Sequence, residues 1–361
     1  MAEILKAPFP WFGGKSRAAR LVWSRFENVA NYVEPFAGSL AVLLGRQTSP
    51  KIETVNDRNC WISNFWRACV ADPEGVAYHA DWPVNQADLT ARHQWLVTQP
   101  EWRERMLREP YFYDVRIAGW WVWGQSMWIG SGWCSELRSK AGRGMPDLGG
   151  DKGIHRNGVP QKIPYLSSEG MGVVPRQVPY LAGQAMPEGR ILEKLKPLQR
   201  RLRNVRVCCG DWQGIMGYSV TTRHGVTGVF LDPPYTLEGR SGEVYGLEGE
   251  GEVAAGVTAW ARENGADPGL RIALCGYEGD VDMPASWEKV QWKAVGGYGL
   301  RADGQGRDNA ERERIWFSPA CIRPQPRLFN MFAEDPEAED YTPEEVEALE
   351  AMADLDDGAV N

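Results

Sequence analysis

Residues 231–235 read Leu231-Asp232-Pro233-Pro234-Tyr235 and follow the apolar run Gly228-Val229-Phe230. A short β-branched and aromatic run that stops at an acid and two prolines is a buried strand ending in a rigid turn, because proline cannot donate to a strand ladder. Asp232 and Tyr235 are therefore expected at a strand's carboxyl end, the edge where open α/β sheets hold ligands. The turn offers a carboxylate, backbone carbonyls beside prolines that lack N–H groups, and an aromatic face. That set suits an amino group on a flat ring, such as the exocyclic nitrogen of adenine.

Three further segments lift this turn above an ordinary Asp-Pro turn. Trp11, Gly13, Gly14 and Lys15 stand at the mouth of a helix predicted to begin near Ser16. Residues 31–44, with Glu34-Pro35-Phe36-Ala37-Gly38-Ser39 at their centre, read as strand, glycine turn and apolar helix. A second short strand follows and ends at Asn56-Asp57-Arg58-Asn59. Its acid falls roughly twenty residues after the glycine turn, the spacing at which an acid reaches a ribose hydroxyl. The chain has neither the full G-x-G-x-x-G pattern nor a phosphate loop at these places, so a nucleoside cofactor without a polyphosphate fits best. S-adenosylmethionine is the obvious member of that class.

The ordered set Trp11-x-Gly13-Gly14-Lys15, Glu34 to Ser39, Asn56-Asp57-x-Asn59, Gly210-Asp211-Trp212 and Asp232-Pro233-Pro234-Tyr235 resembles the Dam-type, alpha-class DNA adenine-N6 methyltransferases. The resemblance covers roughly residues 8–60 and 205–320. It implies a Rossmann-like class I methyltransferase sheet, of α/β class, with an inserted, mostly helical target-recognition region. It also implies that Trp11 and Lys15 line the cofactor pocket near the methionine end and that Phe36, Ala37, Gly38 and Ser39 wrap the methionine portion. Asp57 would bind the ribose and Asp211 with Trp212 would clamp the cofactor's adenine, at a place where relatives usually carry Phe instead of Trp. Asp232, with Pro233, Pro234 and Tyr235, would hold the target amine against the cofactor's methyl group.

The resemblance thus predicts a catalytic domain made of residues 1–60 and 205–330, a recognition region over 61–204 and an acidic tail over 331–361. The interval between Asn59 and Val205 is too long for a loop. Helices are predicted over 61–70, about 89–107 and 117–129, the last buried on every face and rich in Trp. Those Trp residues read as core in preference to a base-stacking platform. The Gly- and Pro-rich stretch 130–189 supplies candidate DNA contacts in Arg138, Lys140, Arg143, Arg156 and Asn157. Residues 125–132 depart from the Asn-rich stretch that Dam-type chains often carry, so no target sequence is assigned. Two more strands are expected, 271–276 and 314–317, the latter in a hairpin with 290–295.

The formal net charge of −8 at first argues against a polyanionic partner. From 333 to 361, however, the chain holds twelve acidic residues and no Lys or Arg, leaving 40 basic against 36 acidic residues elsewhere, a net of +4. Residues 136–206 carry fourteen Lys or Arg against six acids, among them Lys194, Lys196, Arg200, Arg201, Arg203 and Arg206. A basic body is compatible with duplex DNA. The stretch Arg200–Arg206 is equally readable as a solvated helix face.

Seven cysteines form no C-x-x-C pair and four histidines are dispersed, so a metal-free site in a reducing, cytoplasmic compartment is expected. No secretory signal or long apolar span is seen, and no membrane partner is expected. Methylation of RNA adenine, or a vestigial methyltransferase acting by binding DNA, are the alternatives. A separate restriction endonuclease is a partner the sequence leaves open.

Overall fold

The structure is a computed structural model and describes residues 5–9, 11, 15–46, 52–83, 85–128, 133–134, 190–234, 250–292 and 312–323. Tyr235, Gly13, Gly14, the five candidate DNA contacts Arg138, Lys140, Arg143, Arg156 and Asn157, and the acidic tail lie outside these residues.

Seven strands form one mixed sheet: β1 (Asn31–Glu34), β2 (Ile52–Asp57), β3 (Val205–Cys209), β4 (Thr227–Leu231), β5 (Leu270–Tyr277), β6 (Glu288–Gln291) and β7 (Glu313–Phe317). Their spatial order is β3-β2-β1-β4-β5-β7-β6. The first five are parallel, and β7 enters antiparallel between β5 and β6. This mixed α/β sheet is consistent with a methyltransferase fold. The order reverses between β1 and β4, and ligands bind in such sheets at the crevice beside the carboxyl ends of the two strands where the order reverses.

The alternation of side chains divides the core in two. Tyr32, Phe230, Ala273, Cys275, Ile315 and Phe317 face one cluster, while Val33, Val229, Leu231, Ile272, Leu274 and Trp316 face the other. Period-two alternation on strands buried on both faces produces this split. Helices α1 (Ser16–Phe26), α2 (Ala41–Leu44) and α3 (Cys60–Ala71) bury their apolar sides in the first cluster. The second is covered by a 3-10 turn at Trp212–Ile215 and by the long helix at Glu250–Asn264.

Between β2 and β3 the chain adds α4 (Pro73–Ala80), α5 (Gln86–Val97), α6 (Pro100–Arg108), α7 (Val115–Met127) and α8 (Arg190–Leu202). The single helix expected near 89–107 is two helices. Pro100 opens α6, and a proline disfavours helical geometry in the residue before it, which breaks the run at Gln99. α7 matches the buried helix read from sequence: Trp121 and Trp123 are 2% and 0% exposed, so these rings are core. The amide of Asn64 ties α3 to α7 by bonding both the carbonyl and the N–H of Asp114, which in turn caps α7 through Ile117 N–H.

The basic cluster is not uniform. Lys194, Lys196, Arg200, Arg203 and Arg206 are exposed, but Arg201 turns inward. Its guanidinium forks onto Glu53 at 2.6 and 2.7 Å and reaches the Leu43 carbonyl at 3.0 Å, pinning α8 to β2 and α2.

Candidate active site at the switch point of the sheet

β1 ends at Glu34 and turns through Pro35, Phe36, Ala37 and Gly38. Gly38 has φ +45°, a left-handed conformation that favours glycine. Its N–H donates to Asp57 Oδ2 at 2.9 Å, and its carbonyl accepts from Trp66 Nε1 at 2.9 Å. A Cβ here would stand 2.6 Å from Trp11 Nε1, so the indole packs directly over the turn. Phe36, Ser39 and Trp11 remain half-buried, while Ala37 is buried.

Asn56 joins this turn to the end of β3. Its Nδ2 donates to the carbonyls of Pro35 at 3.1 Å and Gly210 at 3.0 Å. The adjacent Asp57 accepts from Asn59 N–H at 2.8 Å as well as from Gly38. Burial raises the Asp57 pKa to about 6, against the lowering effect of those two amides. Asn59 caps α3 by accepting from Trp61 and Ile62 N–H groups, so the loop after β2 is fixed from both sides.

At the end of β3, Asp211 caps the 3-10 turn through Gln213 N–H at 2.9 Å. Trp212 is 6% exposed and its ring centroid lies 6.3 Å from that of Phe36. A Cβ on Gly210 would meet nothing within 4 Å, which leaves open space beside the end of β3.

Across the switch point, β4 ends at Leu231 and delivers Asp232. Lys15 Nζ lies 3.0 Å from Asp232 Oδ2 and 5.6 Å from the centre of the Trp292 ring. Lys15 is 4% exposed. Burial by itself lowers the lysine pKa and is the largest single effect; Asp232, Cys275 and Glu313 together outweigh it, so the ammonium is held above its ordinary range. Pro233 is buried and Pro234 half-buried. The structure therefore brings Trp11, Lys15, Phe36 to Ser39, Asp57, Asp211, Trp212 and Asp232 to the carboxyl edge of the parallel strands.

Residues 11–141 match the D12 class N6 adenine-specific DNA methyltransferase family. The match supports an adenine-specific DNA methyltransferase, and Trp11, Lys15, Phe36 to Ser39 and Asp57 of the site fall inside it. Comparison with curated proteins gives no match. No group of three or more His, Cys, Asp or Glu gathers in a metal-binding arrangement among the described residues. No described helix is long and apolar enough to cross a membrane.

Three features of the site are not visible in its sequence motifs. The resemblance at the glycine-rich motif implies a cofactor-pocket role for Lys15 and gives no sign of its ion pair with Asp232. Asn56 and Trp66 hold the turns through hydrogen bonds to carbonyls, for which residue type gives no signal. Buried Glu34 accepts the Tyr32 hydroxyl at 3.0 Å, a pairing that sequence shows only as an acid two residues along a strand.

Proposed function

We propose that the chain transfers the methyl group of S-adenosylmethionine to the N6 amino group of an adenine flipped out of duplex DNA, in the manner of the Dam-type alpha class. The observation that carries this reading is Asp232, held by Lys15 at the end of β4, beside the strand whose glycine turn follows at the switch point. S-adenosylmethionine supplies, when bound, an activated methyl group on a sulfonium.

The donor and acceptor set suits such a nucleoside. Gly210 is followed by Asp211 and donates its N–H to the Asp57 carbonyl at 3.4 Å, so two acids stand at the ends of β2 and β3, suited to ribose hydroxyls and to an amino group on adenine. Trp11, Phe36 and Ser39 stay accessible around the Gly38 turn for the methionine end. Trp212 would offer packing to the adenine ring.

For the target base, Asp232 accepts one N–H of the amino group and the Pro233 carbonyl the other. The lone pair of an adenine amino group is delocalised into the ring, and two acceptors draw the nitrogen toward a tetrahedral geometry as positive charge develops. Tyr235 would stack on the base. Holding that nitrogen in line with the methyl group supplies much of the rate through proximity. Flipping costs a few kcal/mol per base, which phosphate and base-edge contacts from 61–204, including Arg138, Lys140, Arg143, Arg156 and Asn157, would offset. The exposed cations at 194–206 would add to the positive surface.

The test is incubation with labelled S-adenosylmethionine and unmethylated duplex DNA, single-stranded DNA or RNA, followed by nucleoside mass analysis. N6-methyladenine in DNA supports the reading, and methylated RNA alone or no methylated adenine overturns it.

A further inference from the structure

Glu313 opens β7 opposite Tyr277 of β5 and is 8% exposed. Its Oε2 has no hydrogen-bond partner among the described residues. Burying a carboxylate oxygen unmatched is costly, and such an atom calls for an explanation beyond the stability of the fold. The cations on either side of it in the chain are engaged elsewhere. Arg312 bonds the Glu278 carbonyl and Asp280, and Arg314 bonds Glu278 Oε2 at 2.5 Å and the Glu313 carbonyl. The cation that attracts the Glu313 carboxylate is Lys15, while Asp232 repels it. Among the described residues Tyr277 and Cys275 on β5 are further titratable groups near this part of the sheet, and Glu34 at the end of β1 feels the Asp232 charge.

Lys15 thus sits in the field of two carboxylates and is paired at 3.0 Å with Asp232. On the proposed function, the target amino group competes for Asp232 as its hydrogen-bond acceptor. A buried ammonium that loses part of its partner must find another, or its desolvation is left uncompensated. We propose that Glu313 is a positioning residue of the methyl-transfer site, whose open Oε2 takes over the Lys15 ammonium when the amino group engages Asp232. No covalent bond is made or broken in this handover; a hydrogen bond moves from one carboxylate to the other. It frees Asp232 for the base without expelling a charge into the protein interior. Burial pushes the Glu313 pKa up and Lys15 opposes that rise, so the arrangement loses its second acceptor at acid pH.

Two measurements on the full chain test this inference, and they separate it from the functional reading on which it rests. The first needs no activity: Lys15 is titrated by carbon-13 NMR of labelled lysine in Asp232→Asn and in the double variant Asp232→Asn with Glu313→Gln. Asp232→Asn is expected to leave the ammonium titrating near or above the ordinary lysine value, because Glu313 accepts it, and the double variant to lower that value clearly. Identical titrations would overturn the handover. The second is single-turnover methyl transfer against pH. At cofactor concentrations that saturate the site throughout the pH range, Glu313→Gln should slow transfer by about tenfold or more, leave cofactor-analogue affinity unchanged and reduce the fall in rate at acid pH, while Glu313→Asp retains that fall. A Glu313→Gln variant with the wild-type rate and profile, or one that loses stability, affinity and rate together under an unchanged profile, would overturn it. Absence of methyl transfer by the wild type would count against the function, with the Lys15 titration still deciding the handover.

Discussion

Lys15, at the residue just before α1, is ion-paired at 3.0 Å with Asp232 at the end of β4, so the glycine-rich entry to the first helix and the end of the fourth strand meet in one buried charge pair. The acid proposed to hold the target amine is thereby tied to the motif proposed to line the cofactor pocket. Lys15→Met should slow methyl transfer by about a hundredfold, the scale for removing one electrostatic contact at a reacting centre. Loss of one partner of a buried pair should also destabilise the fold by about 3 kcal/mol. Steady-state kinetics with a parallel denaturant melt check both, and an unchanged kcat would refute the coupling.

Gly38 combines φ +45° with an indole 2.6 Å from where a Cβ would lie. Gly38→Ala is expected to displace Trp11 and strain the turn, at about 1–2 kcal/mol for the left-handed backbone alone. Titration calorimetry with a cofactor analogue should show weakened binding. Equal affinity in the variant would mean that the turn does not shape the cofactor site.

Asp57 should make cofactor binding pH-dependent. Its pKa of about 6 reflects burial opposed by the amides of Asn59 and Gly38. An ionised carboxylate is the better acceptor for ribose hydroxyls, so affinity should fall as pH drops through about 6 and level off above it. Affinity that is flat across this window would remove Asp57 from the ribose contact.

Glu34 is 2% exposed, and burial holds its pKa well above the ordinary carboxylate range although the Tyr32 hydroxyl hydrogen bond opposes the rise. A folded-state pKa above the unfolded one contributes stability at low pH that is lost as pH rises through the folded value. Glu34→Gln should therefore raise Tm relative to wild type at alkaline pH and lose that advantage at acid pH. A Tm difference independent of pH would contradict the sign of this linkage.

Arg201 stands apart as a structural cation among the exposed ones of the basic cluster. Arg201→Met breaks its fork onto Glu53 and should cost about 3 kcal/mol. The salt dependence of DNA affinity should stay as it is in the folded variant, since the slope counts neutralised phosphates, about one unit for each, and this guanidinium neutralises none. Arg200→Ala is expected to behave in the opposite way. A reduced slope for Arg201→Met would place that guanidinium on DNA.

The fold is legible in the sequence where period and punctuation coincide. The strand before Asp232 is readable because an apolar run meets two prolines, and the glycine turn because Gly38 sits between a strand and an apolar helix. α4 has Asp72 and Pro73 at its start but is too short to show a period, and the helix at Glu250–Asn264 follows a Gly- and Glu-rich stretch that masks its start. The break between α5 and α6 is announced by Pro100 but lies inside a continuous run of helix-forming residues, which reads as one helix. In the site, residue types and order carry the acids and glycines into one place, whereas their mutual pairing does not follow from them. Nothing local couples Lys15 to Asp232 or Arg201 to Glu53; only the parallel pairing of distant strands and the packing of α8 bring them together.

The decisive measurement is methyl transfer to unmethylated duplex DNA by wild type and Asp232→Ala, each first shown by calorimetry to bind a cofactor analogue. N6-methyladenine is expected from the wild type, with near-complete loss in the variant, by at least about a thousandfold if Asp232 holds the reacting nitrogen. Methylation of adenine by Asp232→Ala at the wild-type rate would contradict the role given to this carboxylate and the mechanism built on it.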